Sequence, residues 1–307
     1  LVPIVKVPTW ATLPKRSKGE REVQQELTKE IERNLDKLRH VLPLTRVDVI
    51  KDFYELDPAV EVQTLAIIDN NAYVAHGSRP LLYKVNLDNK QVLTLDASSV
   101  DVRAIQHLAP EEKDPILYIV FDATGLASVN LTKQSVKQSD ITFGEPGTTI
   151  DGIGVYNKRL YLVDRTHSQI WRHDKKDGGF GKGTAWLKTP LDLSGTRAFA
   201  IDGALWIAKQ NELIRLLQGK QSNWKLDAFD PPALSIRSVI AKNGSNTLWL
   251  LDEAGKRVLA IEKDTGKLIA QYPLPADDIR DFSVDEKTGK ILLLTKTKLL
   301  ALEHEKE

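Results

Sequence analysis

The sequence predicts an all-β fold, a six-bladed β-propeller, on three observations. A strand–turn–strand phrase, clearest in Leu160-Tyr-Leu-Val-Asp164 and Gln169-Ile-Trp171, returns six times. Its aromatic falls at Tyr73, Tyr118, Tyr161, Trp206 and Trp249, with Leu292 in the sixth place, so successive repeats are 43 or 45 residues apart. The last unit supplies three strands where the others supply four, and a spare strand precedes the first. A sustained period of this length in a strand-rich chain marks one four-stranded blade per repeat.

In chain order, residues 1–17 hold three prolines and no periodicity, which predicts an extended linker. Over 18–43, Val23, Leu27, Ile31, Leu35, Leu38 and Leu42 recur every three or four residues, one face of a helix. Opposite charges three apart (Glu26–Lys29, Glu30–Arg33, Asp36–Arg39) support it, and Pro43 ends it. Two readings of its apolar face are open: packing on the neighbouring domain, or a coiled-coil stalk or partner helix.

The propeller is expected over 44–307. In the fourth unit, 197–201 is the inner strand, Asp202-Gly203 a hairpin turn, 204–208 the second strand, 213–217 the third and 224–229 the outer one. Other first hairpins turn at Asp69-Asn-Asn71, Asn157-Lys158, Asn243-Gly-Ser-Asn246 and Glu286-Lys-Thr-Gly289, residue types that tolerate positive φ or bond their own backbone. Asp164 and Asp252 open the turns after the second strands and are expected to bond backbone amides there. The last unit gives strands at 282–285, 290–294 and 299–303. A strand at 47–56 is expected to pair with it and close the ring, removing two exposed sheet edges. The repeat aromatics are expected to pack between blades.

The phrase at Leu160–Trp171, and its counterpart Leu248-Trp-Leu-Leu-Asp252 with Arg257-Val-Leu259, resembles the NHL-type six-bladed repeat. Over about 44–303, the succession Trp186-Leu, Asp192-Leu-Ser-Gly, Ala200-Ile-Asp-Gly, Lys256-Arg-Val-Leu and Ala270-Gln-Tyr is similar to the C-terminal propeller of membrane-anchored bacterial proteins that carry a protein-phosphatase-like domain upstream. That resemblance implies a sensory or binding ectodomain, extracytoplasmic and anchored through a segment absent from this chain, and transfers no catalytic residue.

Composition bounds the rest. With 43 basic and 42 acidic residues, the chain lacks the charge of a general nucleic-acid or membrane-surface binder, and no nucleic-acid partner is expected. No apolar run reaches the length of a membrane span. The absence of cysteine excludes disulfides and thiolate metal sites. Methionine is absent even at position 1, so the chain is expected to begin inside a longer protein, or to be processed or engineered.

Chemistry is expected where the inner strands open into the central channel, because loops from all blades converge there. The first residues of the six inner strands read as Gln63, Arg103, Asp151, Arg197, Arg237 and Arg280. Four guanidinium groups at one mouth would suit a carboxylate, phosphate or sulfate. The competing reading pairs each arginine with a local acid such as Asp101, Asp151, Asp278 or Asp281. His76, Arg79, Arg165 and His167 are expected in loops on the same face.

The six histidines show no HxxxH or HxH spacing, and no metal site is assigned. No G-x-S-x-G elbow is present, and Phe180-Gly-Lys-Gly183 lacks the Lys-Ser/Thr ending of a P-loop. No catalytic residue or cofactor is assigned. The expected function is a non-enzymatic binding or interaction propeller for a protein partner or a small anion. The alternatives are a metal-dependent lactonase-like hydrolase, whose cation four arginines would repel, and a structural protomer assembled through the helix.

Overall fold

The computed structural model of the chain describes residues 18–111, 114–233, 235–285 and 288–305. The linker expected over 1–17 lies outside the described residues, as does part of the 286–289 turn. The rest is one long helix and six sheets arranged as blades, antiparallel but for one short parallel pair in blade 3.

Blade 1 comprises β2 (Val62–Ile68), β3 (Asn71–His76), β4 (Leu81–Asn86) and β5 (Val92–Asp96). Blade 2 comprises β6 (Ile105–Pro110), β7 (Ile116–Phe121), β8 (Gly125–Asn130) and β9 (Ser135–Gln138). Blade 3 is built on β11 (Gly152–Tyr156), β12 (Arg159–Asp164) and β13 (Gln169–Lys176). There β13 continues into a long hairpin with β14 (Gly179–Lys182), which reaches the parallel strand β10 (Asp140–Thr142), and β15 (Thr184–Ala185) returns to β13. Blade 4 comprises β16 (Ala198–Ile201), β17 (Leu205–Ala208), β18 (Leu213–Leu217) and β19 (Lys220–Gln221). Blade 5 comprises β20 (Ile236–Ala241), β21 (Thr247–Asp252), β22 (Arg257–Glu262) and β23 (Leu268–Pro273). Blade 6 comprises β24 (Ile279–Asp285), β25 (Lys290–Thr295) and β26 (Lys298–His304), completed by β1 (Leu44–Asp52) from the front of the chain. Leu44 pairs with His304 and Asp52 with Lys298, so the ring closes as the incomplete last repeat requires, by a strand at 44–52 and not 47–56, because Phe53–Glu55 form a 3-10 turn.

The period-2 pattern of the second strands explains why the ring holds together. Alternate side chains of one strand face opposite neighbours. Tyr73 packs in the core between blades 1 and 2, while Val74 packs in the core between blades 6 and 1. The same rule places Tyr118 between blades 2 and 3, Tyr161 between 3 and 4, and Trp206 between 4 and 5. Trp249 lies against the core between blades 5 and 6, and Leu292 in that between 6 and 1. Each repeat position thus serves a different interface, and each buried side chain of this size contributes about 1.5–3 kcal/mol.

The turns follow their residue types. Asn157 and Lys158 both take positive φ, 49° and 60°, the pair of left-handed residues a tight hairpin needs. Gly203 sits at φ 114°, where a side chain would be strained. Asp164 Oδ1 accepts the His167 amide at 3.1 Å, and Asp252 Oδ1 accepts the Gly255 amide at 3.2 Å, as an Asp-opened turn requires.

Two expectations need correction. The outer strand of blade 4 is β19, not 224–229. Gln218 and Gly219 take φ 50° and 85°, a tight turn that brings Lys220 opposite Leu217 at once. Trp224 then leaves the sheet and packs edge-on against Trp206, with ring centroids 5.0 Å apart. The helix, α1 (Lys18–Leu38), ends short of Leu42 because His40 takes φ 55° and the Val41 amide turns back to the Asp36 carbonyl. Its Glu26–Lys29 and Glu30–Arg33 pairs do not close to ion-pair distance among the described residues, and Arg39 instead meets Asp230 at 2.6 Å. The apolar face of α1 is not packed on the propeller: Val23, Leu27, Ile31, Leu35 and Leu38 are all exposed. The exit from the helix is held by Gln271, which donates to the Arg39 and His40 carbonyls and accepts from the Leu42 amide.

Candidate functional site

The inner strands β2, β6, β11, β16, β20 and β24 stand next to one another around the ring and line the channel. Four of them carry a bulge near the start, between Val62 and Thr64, Ile105 and His107, Ile236 and Ser238, and Ile279 and Asp281. The residue left unpaired at each bulge is Gln63, Gln106, Arg237 and Arg280. In blades 3 and 4 regular pairing begins at Gly152 and Ala198, so Asp151 and Arg197 stand at the same level. The true ring is therefore Gln63, Gln106, Asp151, Arg197, Arg237 and Arg280.

Arg103 does not belong to it. It precedes β6 by two residues, its side chain is 79% exposed, and its nearest acid is Asp122 at 3.9 Å. The offset is three residues: Arg103 lies ahead of the strand, whereas the bulge falls at Gln106. The signal that finds the right residue is the parallel between Gln63-Thr-Leu-Ala66 and Gln106-His-Leu-Ala109.

Arg197, Arg237 and Arg280 gather on the side of blades 4 to 6. Arg197 Nη2 lies 3.2 Å from Glu253 Oε2, and Arg237 Nη1 donates to Glu253 Oε1 at 2.5 Å. Arg197 also donates to the Ser235 hydroxyl, and Arg237 Nε donates to the Arg280 carbonyl at 3.1 Å. Both side chains remain about one-third exposed, at 36% and 34%. Arg280 makes no ion pair among the described residues. Its field reaches the exposed Glu61, whose carboxyl is held below the usual range chiefly by Lys296 at 2.6 Å and in smaller part by Arg280. Two of the three guanidinium groups thus share one carboxylate, Glu253, a residue the sequence pattern did not single out, and the third contacts no acid among the described residues.

The other half of the mouth is neutralised internally. Gln63 Nε2 donates to the Ile105 carbonyl at 2.8 Å, and Gln106 Oε1 accepts the Ala123 amide at 3.1 Å. Asp151 Oδ1 accepts from Arg165 Nη2 at 2.6 Å, and its Oδ2 accepts the Arg165 amide and the Thr149 hydroxyl. Burial acts to raise the Asp151 pKa, but these Arg165 and Thr149 bonds outweigh it and hold the carboxyl below the ordinary range.

One step further into the channel lie Thr64, His107, Gly152, Ala198, Ser238 and Asp281. Asp281 was expected as a partner for arginine. It instead accepts from the Leu65 amide (2.9 Å) and Thr64 hydroxyl (3.2 Å) of blade 1, the Ser238 hydroxyl (3.2 Å) of blade 5, and its neighbouring Phe282 amide (2.9 Å). Desolvation pushes this carboxyl above the usual range despite four donors. Of the remaining acids expected to pair with arginine, Asp278 accepts the Lys296 amide and Asp101 ends a short 3-10 turn.

Of the four loop residues, Arg165 reaches the ring at Asp151, and His76 and Arg79 meet at Asp57. His76 is fully buried at the end of β3, its Nδ1 accepting from the Ser78 amide, with Asp57 4.0 Å away. Arg79 pairs with the same Asp57 at 2.6 Å. His167 Nδ1 donates to the buried Asp164 Oδ2 at 2.7 Å, beside the Trp171 indole N–H at 2.9 Å. A groove of about 530 Å³ runs past His167 between Gln169 and Leu187–Asp192, away from the arginines. Among the described residues no three His, Cys, Asp or Glu side chains gather as metal ligands.

This fold and its lined channel define the chain as a six-bladed β-propeller. No known protein family matches it, and no curated protein does. Solved structures do. It is similar to virginiamycin B lyase from Staphylococcus aureus, with a TM-score of 0.58 and 15% identity over 84% of this chain and 98% of that one. It is similar to a chain of the nidogen/laminin complex, with a TM-score of 0.54 and 14% identity over 80% of this chain and 86% of that one. It is also similar to the WD40 β-propeller domain of Doa1, with a TM-score of 0.51 and 11% identity over 86% and 97%. At such identities the likeness is one of fold.

Proposed function

We propose that the chain is a non-enzymatic binding propeller whose channel mouth takes a small anion or an acidic segment of a protein partner at Arg197, Arg237 and Arg280. The observation that carries this reading is the local excess of charge. Two guanidinium groups share Glu253 and a third has no contacting acid among the described residues, while all three stand at one level of the channel. Like charges converging in a site of reduced dielectric repel, and an anion offsets that repulsion. A planar fork on each arginine favours a carboxylate or phosphate over a monatomic ion.

The resemblance of the repeat phrases to the membrane-anchored bacterial propellers supports placing this binding face outside the cytoplasm, on an anchored protein with a phosphatase-like domain upstream. A chain of the nidogen/laminin complex carries the same kind of ring into a protein assembly, which supports a protein partner as the larger ligand.

The test is calorimetric titration with inorganic phosphate and with a short acidic peptide. Each charge-assisted bond contributes about 1.5–3 kcal/mol, so Arg197→Ala or Arg237→Ala is expected to weaken binding by about tenfold or more without unfolding the ring. Unchanged affinity in both variants would place the ligand elsewhere.

A further inference from the structure

We propose that the apolar stripe of α1 pairs with the same stripe of a second copy of this chain, antiparallel and centred on Ile31. The stripe is long and bare: Val23, Leu27, Ile31 and Leu38 are 61%, 54%, 58% and 79% exposed. The propeller leaves it bare, and the bonds that tie this segment to the ring, at Arg39, His40 and Leu42, follow the helix. A helix of this kind takes its stability from a partner for its apolar face rather than from propensity.

The order of charges beside the stripe selects the partner. One flank reads Glu22, Glu26, Glu30, Arg33, Lys37, acidic in the first half and basic in the second. Like charges one turn apart weaken a lone helix. The helix dipole favours acid at the start and base at the end, but only within the terminal turns, and Glu26, Glu30 and Arg33 lie in the middle. Among the described residues none of Glu26, Glu30, Arg33 or Lys37 forms an ion pair.

An antiparallel second copy resolves both features in one register. With Ile31 opposite Ile31 of the second copy, Leu27 meets Leu35 twice. On the shared flank Glu26 comes within one residue of level with Lys37, and Glu30 with Arg33, again twice. A parallel copy would set Glu26 and Glu30 level with the acidic half of its partner. The antiparallel arrangement also separates the two rings, because each leaves the helix pair at its own end, about 30 Å apart.

The test is sedimentation of the whole chain over a concentration series. The expected mass rises from 34.4 kDa towards twice that value with concentration. Ile31→Glu is expected to hold the chain at 34.4 kDa throughout. The exposed site leaves the ring intact, checked by an unchanged thermal transition. Orientation is read by cross-linking, which the cysteine-free sequence makes clean. A mixture of Gln24→Cys and Leu38→Cys chains is expected to form the mixed disulfide on oxidation, with no Gln24→Cys self-link. A chain that stays monomeric at every concentration overturns the pairing, and a self-linked Gln24→Cys dimer overturns the antiparallel register.

Discussion

Blades 1 to 3 and blades 4 to 6 offer the same backbone level to the channel mouth and fill it differently. The first half places Gln63, Gln106 and Asp151 there, and each spends its polar group on a neighbouring amide, carbonyl or guanidinium. The second half places Arg197, Arg237 and Arg280 there, with Glu253 alone bridging two of them. The first half is closed by its own hydrogen bonds, while the second keeps guanidinium surface open to the channel. A repeat fold thus fixes where a side chain stands and leaves its chemistry to each blade, so the two halves of one ring can differ in what they leave open.

Replacing Asp281 gives the largest expected effect, because it sits beneath the arginine half yet serves the scaffold. Asp281→Ala strips the Leu65 and Phe282 amides of their acceptor and parts blade 6 from blades 5 and 1. A loss of about 3 kcal/mol in denaturant unfolding is expected. A loss under about 0.5 kcal/mol would show that this carboxylate is not a clamp.

Next in size is the contrast between the halves themselves. The double variant Arg197→Ala/Arg237→Ala is expected to weaken phosphate binding by well over about tenfold, and Gln63→Ala/Gln106→Ala to leave it unchanged. Equal losses from the two halves would break the comparison.

Acid sharpens it in another way. Burial holds His76, His107, His173 and His304 below the ordinary imidazole range. The unfolded chain therefore binds protons first, and their stabilisation, present above about pH 6.5, is lost as the pH falls below it. Asp281, whose carboxyl is pushed up, acts in the opposite sense: its folded state binds the extra proton, and its share of stability falls as the pH rises above about 4. His173→Gln is expected to flatten the acid limb of the thermal midpoint between about pH 7 and 5, and an unchanged limb would assign that limb to other groups.

The smallest expected effect is at Arg103. Its exposed guanidinium is not one of those at the ring level, so Arg103→Ala is expected to change stability by less than about 0.5 kcal/mol and phosphate affinity not at all.

The ring was legible from the sequence because the signals that make it are periodic. The spacing of Tyr73, Tyr118, Tyr161, Trp206, Trp249 and Leu292 counts the blades, and the three-strand last unit demands a strand from the front, which β1 provides. The site was legible only in part. Arg197, Arg237, Arg280, Asp151 and Gln63 stand at the expected level, but Arg103, a charged residue ahead of β6, took the place of Gln106 at the bulge. Glu253 was missed because it follows the turn-opening Asp252 in a loop, where no periodicity points to it. Asp281 was read as a partner for arginine since nothing local reveals that Thr64 and Ser238, far away in sequence, stand beside it. The outer strand of blade 4 was misplaced because the Gln218-Gly219 turn acts earlier than the apolar run around Trp224 suggests.

In the proposed function three arginines act as one site and a fourth stands apart. The direct measurement is the titration of inorganic phosphate against the whole chain, followed through the arginine side-chain Nε–H signals by NMR. The signals of Arg197, Arg237 and Arg280 are expected to move together along one binding curve while that of Arg103 stays in place. Four signals moving alike, or none moving, would contradict it.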